Sequence, residues 1–259
     1  MSLSALLKAK PYDLGQPYFP GMPHYPSHPP FLYGLTKKHG DIVYENAVSS
    51  AADAIALGTH VGTHIDALSH FCCNGVCFGG GAVDQTYERG MSNLGADEIG
   101  PIVRRGVLLD IAGLESVDAL PEDFEITAEH LGRASDNIEI AQGDIVVLRT
   151  GWAKFFPDAK RYINNTIAPG PALEGARWLS ERKVFAAGSD TVAFEKLPSP
   201  GMSVHAHLLV GCGIHIIEVL NLEELARDGI HEFLFIAAPM NIRGATGAPI
   251  RPLAFPAVG

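Results

Sequence analysis

The chain has 259 residues, 47% of them hydrophobic and 19% charged, with a formal net charge of −10. That length suits one large α/β domain with an ample buried core. The acidic balance argues against nucleic acid or an anionic membrane as the main partner, and no apolar run approaches the roughly eighteen residues of a membrane span.

Met1 to Lys10 lacks the long apolar core and cleavage site of a signal peptide, so the cytoplasm is the expected location. Residues 11 to 34 are rich in Pro and Tyr. Proline at this density forbids regular helix and the interior of a sheet, and residues 1–34 read as an extended Pro-rich N-terminal arm. Its aromatics, Tyr25 and Phe31 among them, are placed to wall a pocket or to pack on a partner subunit. His24 and His28 are candidate site residues, with surface or packing roles the plainer reading.

The segment His60-Val61-Gly62-Thr63-His64-Ile65-Asp66-Ala67-Leu68-Ser69-His70-Phe71 carries the chemistry. Three histidines and one aspartate fall within eleven residues, and all four side chains can bind a divalent metal. One extended strand would hold His60 and His64 roughly 13 Å apart, whereas ligands sharing an ion lie within about 3–4 Å of one another. The chain must therefore coil. A helical turn makes residues four apart neighbours, Gly62 permits close backbone approach, and a bend after His64 would bring in Asp66. His70 is left to support the ligands from outside or to bind a second ion.

Four cysteines, Cys72, Cys73, Cys77 and Cys212, make no disulfide framework. With no second pair to close a tetrahedral site, the three after the cluster read as pocket-lining or buried thiols. Phe78 to Ala82 reads as a hinge or tight turn. Short β-branched runs over 106–111, 144–150, 184–188, 214–218 and 233–238 predict buried strands. Between them lie helical segments: one from Thr127 with a Thr cap, one over Pro171 to Lys183 with Pro in its first turn, and one over Asn221 to Arg227 with an Asn cap. The alternation predicts α/β layers in a single domain spanning residues 1–259. In the segment 202–210, helical spacing sets His205 on the core-facing side with Leu208 and Leu209, while His207 points outward. Glu218 closes an apolar strand and, if buried there, needs a partner such as a metal or a histidine.

His60-Val61-Gly62-Thr63-His64-Ile65-Asp66, followed by Ser69-His70-Phe71, resembles the HxGTHxDxPxHF signature of the cyclase-like metal-dependent hydrolases. Weaker matches lie at Arg149–Trp152, Gly188–Asp190, Ile216–Glu218 and Gly244–Pro252. The resemblance implies a swivelling β/β/α fold (a mixed sheet with flanking helices), a homo-oligomer such as a dimer or tetramer, and Mn²⁺ or Zn²⁺ held by His60, His64 and Asp66. In its formamidase branch, a second zinc is held through the position of His70, a later histidine and a glutamate, here His205 and Glu218. In its isatin hydrolase branch one manganese is bound, and the residue matching His70 moves protons. Leu68 stands where the signature has proline. His205 precedes Glu218 by thirteen residues and His207 by eleven, a spacing that leaves the second ion open, and chain length favours the isatin hydrolase branch.

The implied reaction is hydrolysis of a C–N bond in a small aromatic amide, a lactam or a formamide. The ion lowers the pKa of water to about 7, and His70 takes the proton. Trp152, Tyr25 and Phe31 are candidate walls for a flat substrate. Two histidines and a carboxylate are also the facial triad of non-haem Fe(II) oxygenases, usually housed in an all-β barrel. A non-catalytic metal-binding protein is a further alternative, expected to have four protein ligands and no bound water.

Overall fold

The computed structural model describes residues 3–256, so residues 1–2 of the expected arm and 257–259 of the expected domain lie outside the described residues. One mixed sheet gathers β1 (Tyr12–Asp13), β2 (His64–Asp66), β3 (Ile102–Asp110), β4 (Ile145–Arg149), β5 (Ala186–Ser189), β6 (His215–Glu218), β7 (Glu232–Ala237), β8 (Gly247–Pro249) and β9 (Leu253–Pro256). Their spatial order is β1-β9-β7-β3-β4-β5-β6-β2-β8. The central run β3-β4-β5-β6 is parallel. Both flanks are antiparallel: β7, β9 and β1 on one side, β2 and β8 on the other.

The parallel strands are apolar on both faces because both are covered. Val107, Leu109, Val146, Leu148, Ala187 and Ile216 face helices Ala128–Ala134 and Leu173–Glu181 and the helical segment after Ser203. Their neighbours Leu108, Ile145, Val147, Ala186 and Ile217 face the opposite way, toward Leu220, Leu225 and Phe235. Each fully buried Val, Leu or Ile side chain among them contributes about 1.5–3 kcal/mol. All five predicted strands form, and β3 reaches back to Ile102.

Several local expectations need correction. The 1–34 segment is not wholly extended loop: Leu3–Lys8 is helical, and Tyr12–Asp13 pairs with β9 as an edge strand, where the prolines on either side do no harm. Pro171 lies in a two-residue strand beside Glu125–Ile126, so the helix begins at Leu173 with Ala172 at its cap position. Leu222, not Asn221, occupies the cap of the last helix, although Asn221 Oδ1 still accepts from the Glu223 N–H at 3.4 Å. The Thr127 cap forms as predicted. His207 is half-buried rather than fully outward, its Nε2 2.9 Å from the Ser180 hydroxyl. Cys72 and Cys77 are disulfide-bonded, not free thiols. Asn74 and Gly75 both take positive φ (51° and 75°), the requirement of a two-residue hairpin turn. Cys73 and Val76 then pair across it, folding the flanking cysteines together.

Strands Leu32–Lys37 and Ala52–Ala56 form a separate hairpin, exposed along nearly all of both strands.

Candidate metal centre

The centre lies where the parallel strands meet the antiparallel β2. No helix forms over residues 60–66. His60 sits in an irregular turn whose reversal is made by Gly62 at φ 69°, and β2 begins at His64. A Cβ at Gly62 would lie 2.5 Å from the Tyr18 ring, so glycine is required for close approach as well as for conformation. The Tyr18 hydroxyl fastens the turn through Val61 O (2.9 Å) and Thr63 O (3.2 Å). Along β2, alternation points His64 and Asp66 to one face and Ile65 into the core. His60 folds back over Asp66, its Nδ1 lying 2.8 Å from Oδ1. Gly247, in register with Asp66, leaves the room: a Cβ there would lie 2.5 Å from His60 Cε1.

Glu218 ends β6 directly opposite His64. The next residue, Val219, holds φ at 60°, a strained state for a β-branched residue and of the kind found at functional sites. Thr63 Oγ1 secures that bend by donating to Val219 O at 2.6 Å, and it accepts from the Gln16 N–H at 2.8 Å. His205 enters from Ser203–His205, which runs into the π-helical Ala206–Cys212. It is His205, then, and not His207, that reaches the centre. Its Nε2 lies 3.2 Å from Glu218 Oε1 and 3.9 Å from Asp66 Oδ2.

Two donor groups result, sharing Asp66: His60–His64–Asp66 and Asp66–His205–Glu218. In each, the candidate ligand atoms lie within 4.8 Å of one another. His64 Nδ1 donates to Gly62 O at 2.8 Å, which leaves the Nε2 lone pair aimed inward, 3.5 Å from both Asp66 Oδ1 and Glu218 Oε2. His64 Nε2, Asp66 Oδ2 and Ser69 Oγ are buried without hydrogen-bond partners. Orphaned buried atoms of this kind are costly. Imidazole nitrogens and carboxylates converging in this way fit a divalent cation, with Mn²⁺ and Zn²⁺ both matched by the donor types.

Charge is managed accordingly. Burial opposes ionisation of Asp66, but His70, His60 and His64 outweigh it and hold its carboxyl well below the usual range. Burial also opposes charge on His205, and hydrogen bonds to Glu195 and Glu218 overcome it, raising its pKa to about 10. His70 has no such partner. Burial pulls it down to about 3 against the opposing pull of Asp66, and its ring is stacked on His60 at 3.8 Å.

A cavity of about 150 Å³ opens above these groups, lined by Tyr25, His28, His60, His70, Phe71, Val192, Ala193, Met202, His205 and Glu218. Tyr25 therefore lines it. Phe31 and Trp152 do not: both are buried behind it in one cluster with Met22 and Phe156, and the Trp152 indole N–H donates to Tyr162 O at 3.0 Å. Sequence reasoning missed Glu195, whose carboxylate accepts from His205 Nδ1 at 2.6 Å. It also missed Thr246, 2.9 Å from His60 Nε2. Neither stands in a metal-ligand spacing. A buried acid between Phe194 and Lys196 was the one available signal for Glu195.

A mixed α/β sheet presenting paired imidazole–carboxylate donors under an open cavity is the arrangement of a metal-dependent hydrolase, and it is not the all-β barrel of the oxygenase alternative. Residues 12–196 match the model of the Cyclase family, described as putative cyclase, and the chain belongs to that family. It is 28% identical over 210 residues to an isatin hydrolase of Roseibium aggregatum, covering 77% of this chain and 73% of that one. It is also 28% identical over 213 residues to a kynurenine formamidase of Bacillus cereus, covering 80% and 81%. Among solved structures, a protein described as a novel cyclase superposes with a TM-score of 0.89 at 27% identity, over 97% of this chain and 88% of that one. Isatin hydrolase A from Labrenzia aggregata superposes at 0.75 and 25% identity, over the full length of both chains.

Proposed function

We propose that this protein hydrolyses the C–N bond of a small aromatic lactam such as isatin, with Mn²⁺ or Zn²⁺ held by His60, His64 and Asp66 and with His70 as the proton acceptor. The observation that carries this reading is the convergence of the three donors with His64 Nε2 and Asp66 Oδ2 left unpartnered beneath the cavity. When bound, a divalent ion lowers the pKa of water and polarises a carbonyl. The chain's own part is to aim His64 through the Gly62 carbonyl and to hold Asp66 ionised. It also sets the His70 imidazole at the cavity wall, stacked on His60, where it can take a proton, and lines the space for a flat substrate with Tyr25 and Phe71. The similarity to an isatin hydrolase supports the substrate class.

A second reading, a kynurenine formamidase using two zinc ions, is favoured by the group Asp66–His205–Glu218 and by the similarity to the Bacillus enzyme. Metal analysis of the protein as purified, followed by assays on isatin and N-formylkynurenine under nitrogen, decides between them. One ion with isatin turnover supports the first reading, and two ions with formamide turnover the second. Activity that requires oxygen would refute both. Homo-oligomerisation is supported by the apolar side chains exposed on the 32–56 hairpin, among them Leu32, Leu35, Val48 and Ile55. A single domain is supported by a sheet that draws strands from Tyr12 to Pro256. The absence of a membrane-spanning helix among the described residues is consistent with the proposed cytoplasmic location.

A further inference from the structure

Four imidazoles line the cavity. His60 and His205 are held by hydrogen bonds to Asp66, Thr246, Glu195 and Glu218. His28 and His70 differ, since their ring nitrogens have no hydrogen-bond partner among the described residues, and their centroids stand 6.4 Å apart. His70 is accounted for as proton acceptor. His28 belongs to neither donor group and has no assigned task.

Its surroundings fix it firmly. The His28 backbone N–H donates to Tyr25 O at 2.9 Å in a tight turn. Pro29 and Pro30 follow, and their rings restrict the chain. Gly58 lets Pro29 approach, since a Cβ there would lie 3.0 Å from Pro29 Cδ. The imidazole stacks on His60 at 5.2 Å with 28° between planes, and meets the Tyr25 ring at 6.0 Å. Stacking alone would be served by any flat ring. An imidazole held this rigidly, half-buried on the wall of a cavity built for an amide, also presents an N–H, which it carries in either protonation state.

We propose that His28 is a substrate-binding residue whose ring N–H donates a hydrogen bond to a carbonyl oxygen of the bound amide, favouring planar lactams with a second, adjacent carbonyl. The inference rests on the hydrolase reading. It assigns binding and orientation to His28 and leaves the transfer of protons elsewhere.

Two substitutions separate the N–H from the ring. His28→Phe keeps a flat ring and removes the donor, and His28→Gln removes the ring and keeps a donor. With metal content equal to wild type, His28→Phe is expected to lower kcat/KM for isatin about 10- to 100-fold, mainly through KM, and His28→Gln to stay within about 5-fold of wild type. In metal-free, ¹⁵N-histidine-labelled protein, isatin should shift the His28 ring nitrogen signals. A His28→Phe enzyme within about 2-fold of wild type overturns the proposal, as does a loss of activity that tracks loss of the ion. A wild type that neither binds nor hydrolyses isatin or N-formylkynurenine overturns the hydrolase reading and His28's role with it. That failure is visible in the wild type alone.

Discussion

Replacing Glu195 with alanine tests whether His205 is held as the geometry implies. The Glu195 carboxylate is buried: its Oε1 accepts from His205 Nδ1 (2.6 Å) and the His205 backbone N–H (3.1 Å), and its Oε2 from the Val204 N–H (3.4 Å) and the Ser199 hydroxyl. Removing one partner of a buried, hydrogen-bonded charge pair costs about 3–5 kcal/mol. The pH dependence gives a second, independent measure. Burial alone would lower the His205 pKa, but Glu195 and Glu218 raise it to about 10, against roughly 6.5 in the unfolded chain. Between those values the folded protein keeps a proton that the unfolded chain releases. The stabilisation is therefore complete below about pH 6.5 and is lost as pH rises to about 10, at up to about 1.4 kcal/mol per pH unit. Urea unfolding of metal-free protein across that window should show this decline in wild type and a shallower one in Glu195→Ala, which should also be less stable by about 3–5 kcal/mol at neutral pH. A variant within about 1 kcal/mol of wild type, with the same pH slope, would refute the claim that Glu195 holds His205.

Gly62→Ala should lose about 2–4 kcal/mol in the same unfolding experiment, because a side chain at left-handed φ must also displace the Tyr18 ring. A loss under about 1 kcal/mol would mean the turn can relax. Asp66→Asn removes the carboxylate shared by both donor groups, so protein purified from that variant should contain no stoichiometric divalent ion by elemental analysis, whereas His205→Ala should lose one ion at most. His70→Ala should lower turnover about 10²- to 10⁴-fold with metal content unchanged; loss of the ion as well would move His70 into the coordination sphere, and full activity would remove it from the chemistry.

How much of this was legible in the sequence depended on whether the signal was local. The parallel strands were readable because burial on both faces forces continuous β-branched runs, as in Ile145–Arg149. The three donors in the 60–66 segment were readable from residue type and the need to converge. Their backbone was not. A helix brings residues four apart together, but so does a turn about Gly62 that folds His60 over a strand, and only the packing of Tyr18 against that glycine decides between them. The Cys72–Cys77 bond was missed, although Asn-Gly is a common hairpin-turn pair and the Asn74-Gly75 turn is what folds the two cysteines together. Glu195 and Thr246 reach the centre from remote positions, with contacts that no spacing encodes. Trp152 looked like a substrate wall because aromatic residues line pockets, yet its indole is consumed by the cluster behind the cavity.

The position of the centre follows from the sheet order. In an open α/β sheet the parallel strands leave a crevice beyond their carboxyl ends, and here Glu218 marks the end of β6. An ordinary parallel neighbour would carry its chain away from that crevice through a helical crossover. Antiparallel β2 instead runs back alongside, so that His64 lies opposite Glu218, and Asp66 is set two residues further on the same face. Both donor groups therefore depend on one reversal of strand direction, and Asp66 belongs to both because it is the residue on β2 that reaches His60 on one side and His205 on the other. A one-residue slip in the β6–β2 register would send His64 and Asp66 into the core and bring Ile65 to the site. The buried Ile65 and the Gly247 contact with His60 resist that slip from opposite faces, so the forces that pack this edge of the sheet are the same ones that assemble the metal centre.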